Sequence, residues 1–276
     1  MKITKVKVIA EIGWNHMGDS DLAEQMIAAA KDSGASTVKF QFWDPQYLKE
    51  GAWDVDGRRE IYNKAALTTK KIKELQALCV KYHCDFLISV FGTIGAKKMH
   101  DLGIREIKIP SHETTNLKLI DYCAKNFNFI YFSAGASSKD DVLKALEILN
   151  QGTAKYNLMH CVSSYPCNPE NANLLRLTWL KSLHPEIGYS DHTQSTMIPS
   201  IAISMGASVI EKHFTTDKNL PGRDNKFALN PEEFKAMTDL IHDAELSLID
   251  HGTGYQDIES DTVSNYRGRW EPADYQ

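Results

Sequence analysis

Eight times along the chain, a short apolar segment rich in β-branched and aromatic residues gives way to a longer amphipathic one. The strand-like segments are 6–12, 37–42, 85–91, 106–110, 129–134, 156–162, 186–190 and 208–214. Helical patterns follow them: Asp21–Asp32 behind Ser20 as cap, Lys70–His83, Ile94–Asp101, Leu117–Asn126, Lys139–Leu149, Leu174–Leu183, Met197–Met205, and Pro231–Ile249 behind Asn230. Strands separated by helices imply a parallel sheet, and eight such units imply an α/β fold of the (β/α)8 TIM-barrel class. A chain of 276 residues suits one barrel, expected over residues 1–250, followed by an irregular tail at 251–276. A doubly wound open sheet is the competing arrangement. It normally carries a glycine-rich nucleotide turn after its first strand, and the GWNHMG found here lacks that spacing.

Two segments lie outside the repeat. Residues 44–69 form a long connection, either a substrate lid or an ordered surface excursion. The polar tail is either loose or an arm crossing the barrel or a neighbouring subunit. The net charge of -5 argues against a nucleic-acid partner. No apolar run approaches the ~18 residues of a membrane helix, and MKITKVKVIAEIG does not read as a signal peptide. Five cysteines without a CxxC pair suit reduced thiols, so the expectation is a soluble cytoplasmic protein.

In such barrels the chemistry gathers where the strands end, and seven of the eight strand ends here are polar or ionisable. Glu11 closes the first. Lys39 and Gln41 share a face of the second. Lys108, Ser111, His112 and Glu113 follow the fourth. Ser133 ends the fifth; His160, Ser163 and Tyr165 the sixth; Ser190 and His192 the seventh. The eighth reads VIEKHF, and strand alternation puts Glu211 and His213 on one face and Lys212 on the other. An acid and an imidazole side by side at the edge of a core need partners or a task. His192 and His213 end consecutive strands and could share a divalent cation, with Asp191 or Glu211 nearby; imidazole and oxygen ligation suits Mn2+, Fe2+, Co2+ or Zn2+ without choosing among them, and the cofactor expected is a divalent metal, Mn2+ first, with Mg2+, Co2+ or Zn2+ as alternatives. Lys39 and Lys108 would form a cationic patch for phosphate or carboxylate, ringed by the hydroxyls of Ser111, Ser133 and Ser190. Glu11 and Glu113 would move protons or position a polyhydroxyl substrate, or instead pair with the lysines. Arg223 and Asp224 stand in the Pro-Gly turn of NLPGRDNKF, above the expected mouth.

Read in order, AEIGWNHMGD, TVKFQ, IKIPSHETTNL, SYP, GYSDHT and VIEKHFTTDKNLPGRDNKFALNPEEF resemble the motifs of the sialic acid synthase family, from Val8 to about Ile249. The resemblance implies a metal-dependent enzyme that condenses phosphoenolpyruvate with an N-acylmannosamine-type aldose, releases phosphate and works as a homodimer. It further implies that Lys39, Lys108, Ser111, Ser133, Tyr165 and Ser190 meet the enolpyruvate; by their positions at the strand ends and mouth, Gln41, Ser163 and Arg223 are further candidate substrate contacts. His192 and His213 would hold the metal, and the acids Glu11, Glu113 and Asp224 would face the sugar and its reacting aldehyde; Glu211, from its place at the end of the eighth strand, is counted with them as a catalytic candidate.

The chain departs from the family at Ser111–His112–Glu113, Ser89–Val90–Phe91 and Ser163. Many members also carry an antifreeze-like C-terminal domain that delivers an arginine to the partner's active site. None is expected before Gln276, so Arg223, Arg267, Arg58 or Arg59 would substitute, or the acceptor differs. Two other activities stay open: a 3-deoxy-octulosonate-type synthase using a phosphorylated sugar, and a sugar-binding barrel without catalysis.

Overall fold

The computed structural model describes residues 5–270. Its strands are β1 (Lys7–Gly13), β2 (Thr37–Phe42), β3 (Asp85–Val90), β4 (Glu106–Ile109), β5 (Phe129–Ser133), β6 (Lys155–Cys161), β7 (Ile187–Asp191) and β8 (Ala207–His213). All neighbours pair in parallel, and β8 returns to β1, with Glu211 opposite Ile9 and His213 opposite Glu11. The sheet is a closed barrel, so the open-sheet arrangement does not hold.

The helices are α1 (Ser20–Asp32), α2 (Arg58–Ala65), α3 (Thr69–Lys81), α4 (Gly92–Asp101), α5 (Leu117–Asn126), α6 (Lys139–Gln151), α7 (Arg176–Leu183), α8 (Ile198–Ser204) and α9 (Pro231–Ser247). Asn230 caps α9 as expected, its side chain accepting from the Glu233 amide while Glu233 returns the bond. The cap of α1 is Asp19 rather than Ser20: its carboxylate accepts from the amides of Asp21 and Leu22. Helix α7 starts two residues later than its pattern suggested, because Asn173 takes φ 46 and breaks the turn. The long connection after β2 is ordered around α2, a helix too short and polar to show a period in the sequence.

Alternation divides the strand residues between two surfaces. Val8, Ala10, Ile12, Val38 and Phe40 point outward into the main core with the helices. Ile9, Leu87, Tyr131, Met159 and Val209 point inward and plug the bore from below. The bore is tight: a Cβ at Gly188 would lie 2.4 Å from Asn157 Oδ1 and 3.0 Å from the Val209 carbonyl. Above the plug the inward positions turn polar. Beyond α9 the tail makes isolated turns at Asp257–Glu259 and Thr262–Tyr266, and residues 251–270 are solvent-exposed apart from Val263. The described part of the tail, as far as Trp270, therefore does not cross this barrel. No helix among the described residues is long and apolar enough to span a membrane.

Candidate active site

Directly above the apolar plug, four charged side chains from four strands meet in the bore. Lys39 Nζ lies 2.7 Å from Glu11 Oε2 and 3.8 Å from Glu211 Oε1, and Lys108 Nζ lies 2.9 Å from Glu211 Oε2. Ser190 Oγ donates to Glu211 Oε1 at 2.9 Å, and Gln41 Nε2 donates to Glu11 Oε1. All four charged residues are at least 94% buried. Their proximity is forced: each lies on the inward parity of its strand, and the parallel register sets Glu11 opposite Lys39. Although burial works to raise it, Lys108 and Lys39 hold the Glu211 carboxyl down at about 2. Burial, with Glu211 nearby, pushes the Glu11 carboxyl up. Lys39 stays protonated against the cost of burial because two carboxylates face it, whereas burial and the neighbouring Lys39 lower Lys108.

This geometry corrects two expectations. Lys39 and Lys108 are not a bare cationic patch; they are neutralised from within, as two buried ammonium groups must be. Glu211, expected as a catalytic acid, is the counter-ion of both lysines, and a carboxyl held at about 2 is unsuited to moving protons near neutrality. Glu11 does take the ion pair with Lys39 that was its alternative role. Glu113 takes none; it stands half-buried outside the bore, its Oε2 accepting from Asn116 Nδ2 at 2.6 Å.

Around this network stand the hydroxyls. Ser133 Oγ is buried without a hydrogen-bond partner, and Ser111 Oγ accepts from the Gly135 amide at 3.1 Å. A Cβ at Gly135 would come within 2.6 Å of Ser111 Oγ and 2.8 Å of the Cys161 carbonyl, so only glycine leaves this nook intact. Ser163, by contrast, is exposed, with its Oγ 3.8 Å from Cys161 Sγ.

At the mouth the rings of His192 and His213 lie 5.3 Å apart, centroid to centroid. Tyr165 covers them, 4.2 Å from His192 and 6.0 Å from His213. His192 Nδ1 donates to the Val162 carbonyl at 2.8 Å, and although burial works to lower it, Cys161 and that carbonyl hold His192 above the usual histidine range. His213 Nδ1 is buried without a hydrogen-bond partner, 3.8 Å from Asp224 Oδ2. Burial and the facing His192 push His213 well below the usual histidine range, leaving it a neutral imidazole. Asp224 receives the indole N–H of Trp14, and burial raises its carboxyl to about 6. Two adjacent imidazoles at the mouth, one with a buried nitrogen that has no hydrogen-bond partner, are a donor set that suits a divalent ion. Among the described residues no group of three or more His, Cys, Asp or Glu is placed so that it could hold an ion, so the pair would leave most positions to water and substrate.

Several residues of the site carried no sequence signal. Trp14 stacks on Tyr62 of α2 at 4.9 Å and so ties the long connection to Asp224. Cys161, not His160, is the inward residue at the end of β6, with Sγ 3.7 Å from His192 Nδ1. His160 turns outward, donating through Nε2 to the Ala172 carbonyl at 2.8 Å; counting inward from Met159 by twos would have found this. Lys212, on the opposite face from Glu211 as alternation required, is buried against Asp191 Oδ2 at 2.5 Å and the Ser195 carbonyl at 3.0 Å. Arg58 and Arg59 pair with Asp56 and Asp54, at 2.6 Å each, and Arg223 stands exposed on the rim.

A closed barrel with charged side chains converging at the strand ends, under a pair of imidazoles, defines an enzyme of the (β/α)8 class that handles a small anionic substrate. The chain belongs to the NeuB family, whose model matches residues 26–253. It is 36% identical to the N,N'-diacetyllegionaminic acid synthase of Campylobacter jejuni over 89% of this chain and 78% of that one. To the N-acetylneuraminate-9-phosphate synthase of Drosophila melanogaster it is 33% identical, over 90% and 70% of the two chains. The crystal structure of an N-acetylneuraminic acid synthetase from Leptospira borgpetersenii, in complex with citrate, superposes with a TM-score of 0.84 at 30% identity, covering 94% of this chain and 90% of that one.

Proposed function

We propose that the protein condenses phosphoenolpyruvate with an N-acylated aldose of the mannosamine type, giving a nonulosonic acid and inorganic phosphate. The observation that carries this reading is the pairing of two buried ammonium groups with two facing imidazoles in one bore. The donor's phosphate and carboxylate would take hydrogen bonds from Lys39 and Lys108, from Ser133, whose hydroxyl is unspent, and from the nook around Ser111 and Gly135. Docking an anion here competes with Glu11, and burial already favours the protonated form of that acid. Glu11 would therefore yield its share of Lys39 as the donor enters.

Carbon 3 of the enolpyruvate then attacks the aldehyde carbon, and the aldehyde oxygen takes up a proton. Water adds to the cation left at carbon 2, and breaking the C–O bond to phosphate restores a ketone. The elements of one water are consumed and one phosphate leaves. His192 and His213 are the residues that would hold a divalent cation, Mn2+ by expectation; when bound, it would supply Lewis-acid polarisation of the aldehyde. Asp224, fixed by Trp14, would orient the acceptor's hydroxyls beside that carbon. Tyr165 would close over both substrates and limit water.

The test is a panel of N-acyl aldoses incubated with phosphoenolpyruvate and Mn2+. Acceptor-dependent phosphate release, with a product heavier than the aldose by pyruvic acid, supports the reading. Absence of release with every aldose, alongside sugar binding, would favour the binding barrel instead.

A further inference from the structure

An ion pair on the outer face of the barrel lies between the inward side chains that end β7 and β8. The register sets Ser190 beside Glu211 and Asp191 beside Lys212. Alternation turns Ser190 and Glu211 into the bore and Asp191 and Lys212 away from it. The two histidines come next on each strand. The outward pair is sealed: the Lys212 and Asp191 side chains are 2% and 0% exposed, with Nζ 2.5 Å from Oδ2. The other N–H groups of Nζ go to the loop that follows β7, at the carbonyls of Thr193 and Ser195, the second at 3.0 Å. Asp191 grips the same loop. Its Oδ1 accepts from the Thr193 amide at 2.8 Å and its Oδ2 from the Thr193 hydroxyl at 3.0 Å.

A buried ion pair is a weak device for stability alone, because desolvating two charges costs about what their attraction returns. Its place in the fold points to another task. The ladder between β7 and β8 ends at Asp191 and Lys212, one residue short of the histidines. His213 stays bracketed by backbone: the Phe214 amide donates to the Glu11 carbonyl and the Leu229 amide to the His213 carbonyl, both at 2.9 Å. His192 has left the ladder. Its Nδ1 donates to the Val162 carbonyl and its own carbonyl accepts from the Cys167 amide at 2.9 Å, which ties it to the chain after β6 rather than to β8. Among the described residues, Lys212 is the one residue of β8 whose side chain hydrogen-bonds to the loop 192–197. Its ammonium therefore joins the loop bearing His192 to the strand bearing His213, behind two rings that lie 5.3 Å apart.

We propose that Lys212 is a positioning residue: by anchoring the loop after β7 to β8, it sets the spacing of His192 and His213 at which both imidazoles reach one divalent cation. The inference rests on the histidine pair holding that cation, as proposed above. The test uses the double variant K212M/D191N. It removes both charges together, keeps the bulk of each side chain and leaves an amide oxygen for the Thr193 amide, so the fold should survive. Calorimetric titration with Mn2+ should show binding weakened by about tenfold or more in the variant. Pulsed EPR of the Mn2+ complex should show couplings from two imidazole nitrogens in wild type and from one in the variant, with H192A as the one-nitrogen reference. A role in stability alone would move the thermal midpoint and leave both readouts unchanged. Affinity within twofold of wild type, with both nitrogen couplings retained, overturns the proposal. If wild type binds no divalent cation, the metal reading itself fails, and crystal structures of the two proteins decide the anchor: a displaced 192–197 loop with a changed ring separation supports it, and superimposable loops overturn it. If the double variant does not fold, D191N alone, which replaces one carboxylate oxygen by an N–H donor, goes through the same measurements; a shift in the same direction supports the anchor, and wild-type behaviour overturns it.

Discussion

Glu211 Oε2 sits 2.9 Å from Lys108 Nζ in the bore, while Glu211 Oε1 takes the hydroxyl of Ser190 and faces Lys39 at 3.8 Å. One carboxylate therefore neutralises two ammonium groups on strands that are not its neighbours. The arrangement stores cationic groups beneath the mouth at tolerable cost, ready for an anion that can outcompete the internal acids.

Removing that carboxylate leaves two ammonium groups buried with only Glu11 between them. Glu211→Ala should lower stability by about 3–5 kcal/mol, read by denaturant unfolding. Glu211→Gln keeps the Ser190 contact and should cost less. Equal stability of the wild type and Glu211→Ala would show that the lysines find other partners.

The histidine pair makes a separate prediction. Treatment with a chelator should abolish phosphate release, and added Mn2+ should restore it. His213→Ala should leave the fold intact by circular dichroism and should not be rescued by Mn2+. Near-normal turnover in that variant would remove His213 from the reaction.

Trp14 reaches Asp224 through its indole N–H and packs on Tyr62. Trp14→Phe keeps a ring for the stack and deletes the donor. An unsatisfied buried carboxylate costs about 1–3 kcal/mol. We expect KM for the acceptor to rise several-fold while KM for phosphoenolpyruvate stays within twofold; a change confined to the donor would contradict the assignment of Asp224 to the sugar.

His16 supplies a pH dependence whose sign is determined by its burial. Its Nδ1 accepts from the Gly18 amide at 3.0 Å, and burial, with Lys71 nearby, lowers it to about 4. The unfolded chain binds that proton near 6.5, so the contribution is complete above about pH 6.5 and fades as pH falls toward 4. By linkage the loss amounts to about 3 kcal/mol. His16→Asn, which can keep the bond from Gly18 through its amide oxygen, should flatten the stability profile across that window. Parallel profiles for the two proteins would show that His16 is not held neutral.

Much of this architecture was legible in the chain itself. Eight alternations of period 2 with period 3.6 dictated the barrel, and parity along VIEKHF assigned Glu211 and His213 to the bore and Lys212 to the outer layer. Both follow from local backbone geometry, which repeats whatever the neighbours are. Tertiary structure alone decided the partners. That Glu211 serves as counter-ion rather than catalyst depends on which strands face it across the bore, at separations of 103 and 172 residues. The roles of Trp14 and Tyr62 needed α2 to fold back onto the mouth. Charge pairing acts through a few ångströms of space, and only the closed barrel sets those distances.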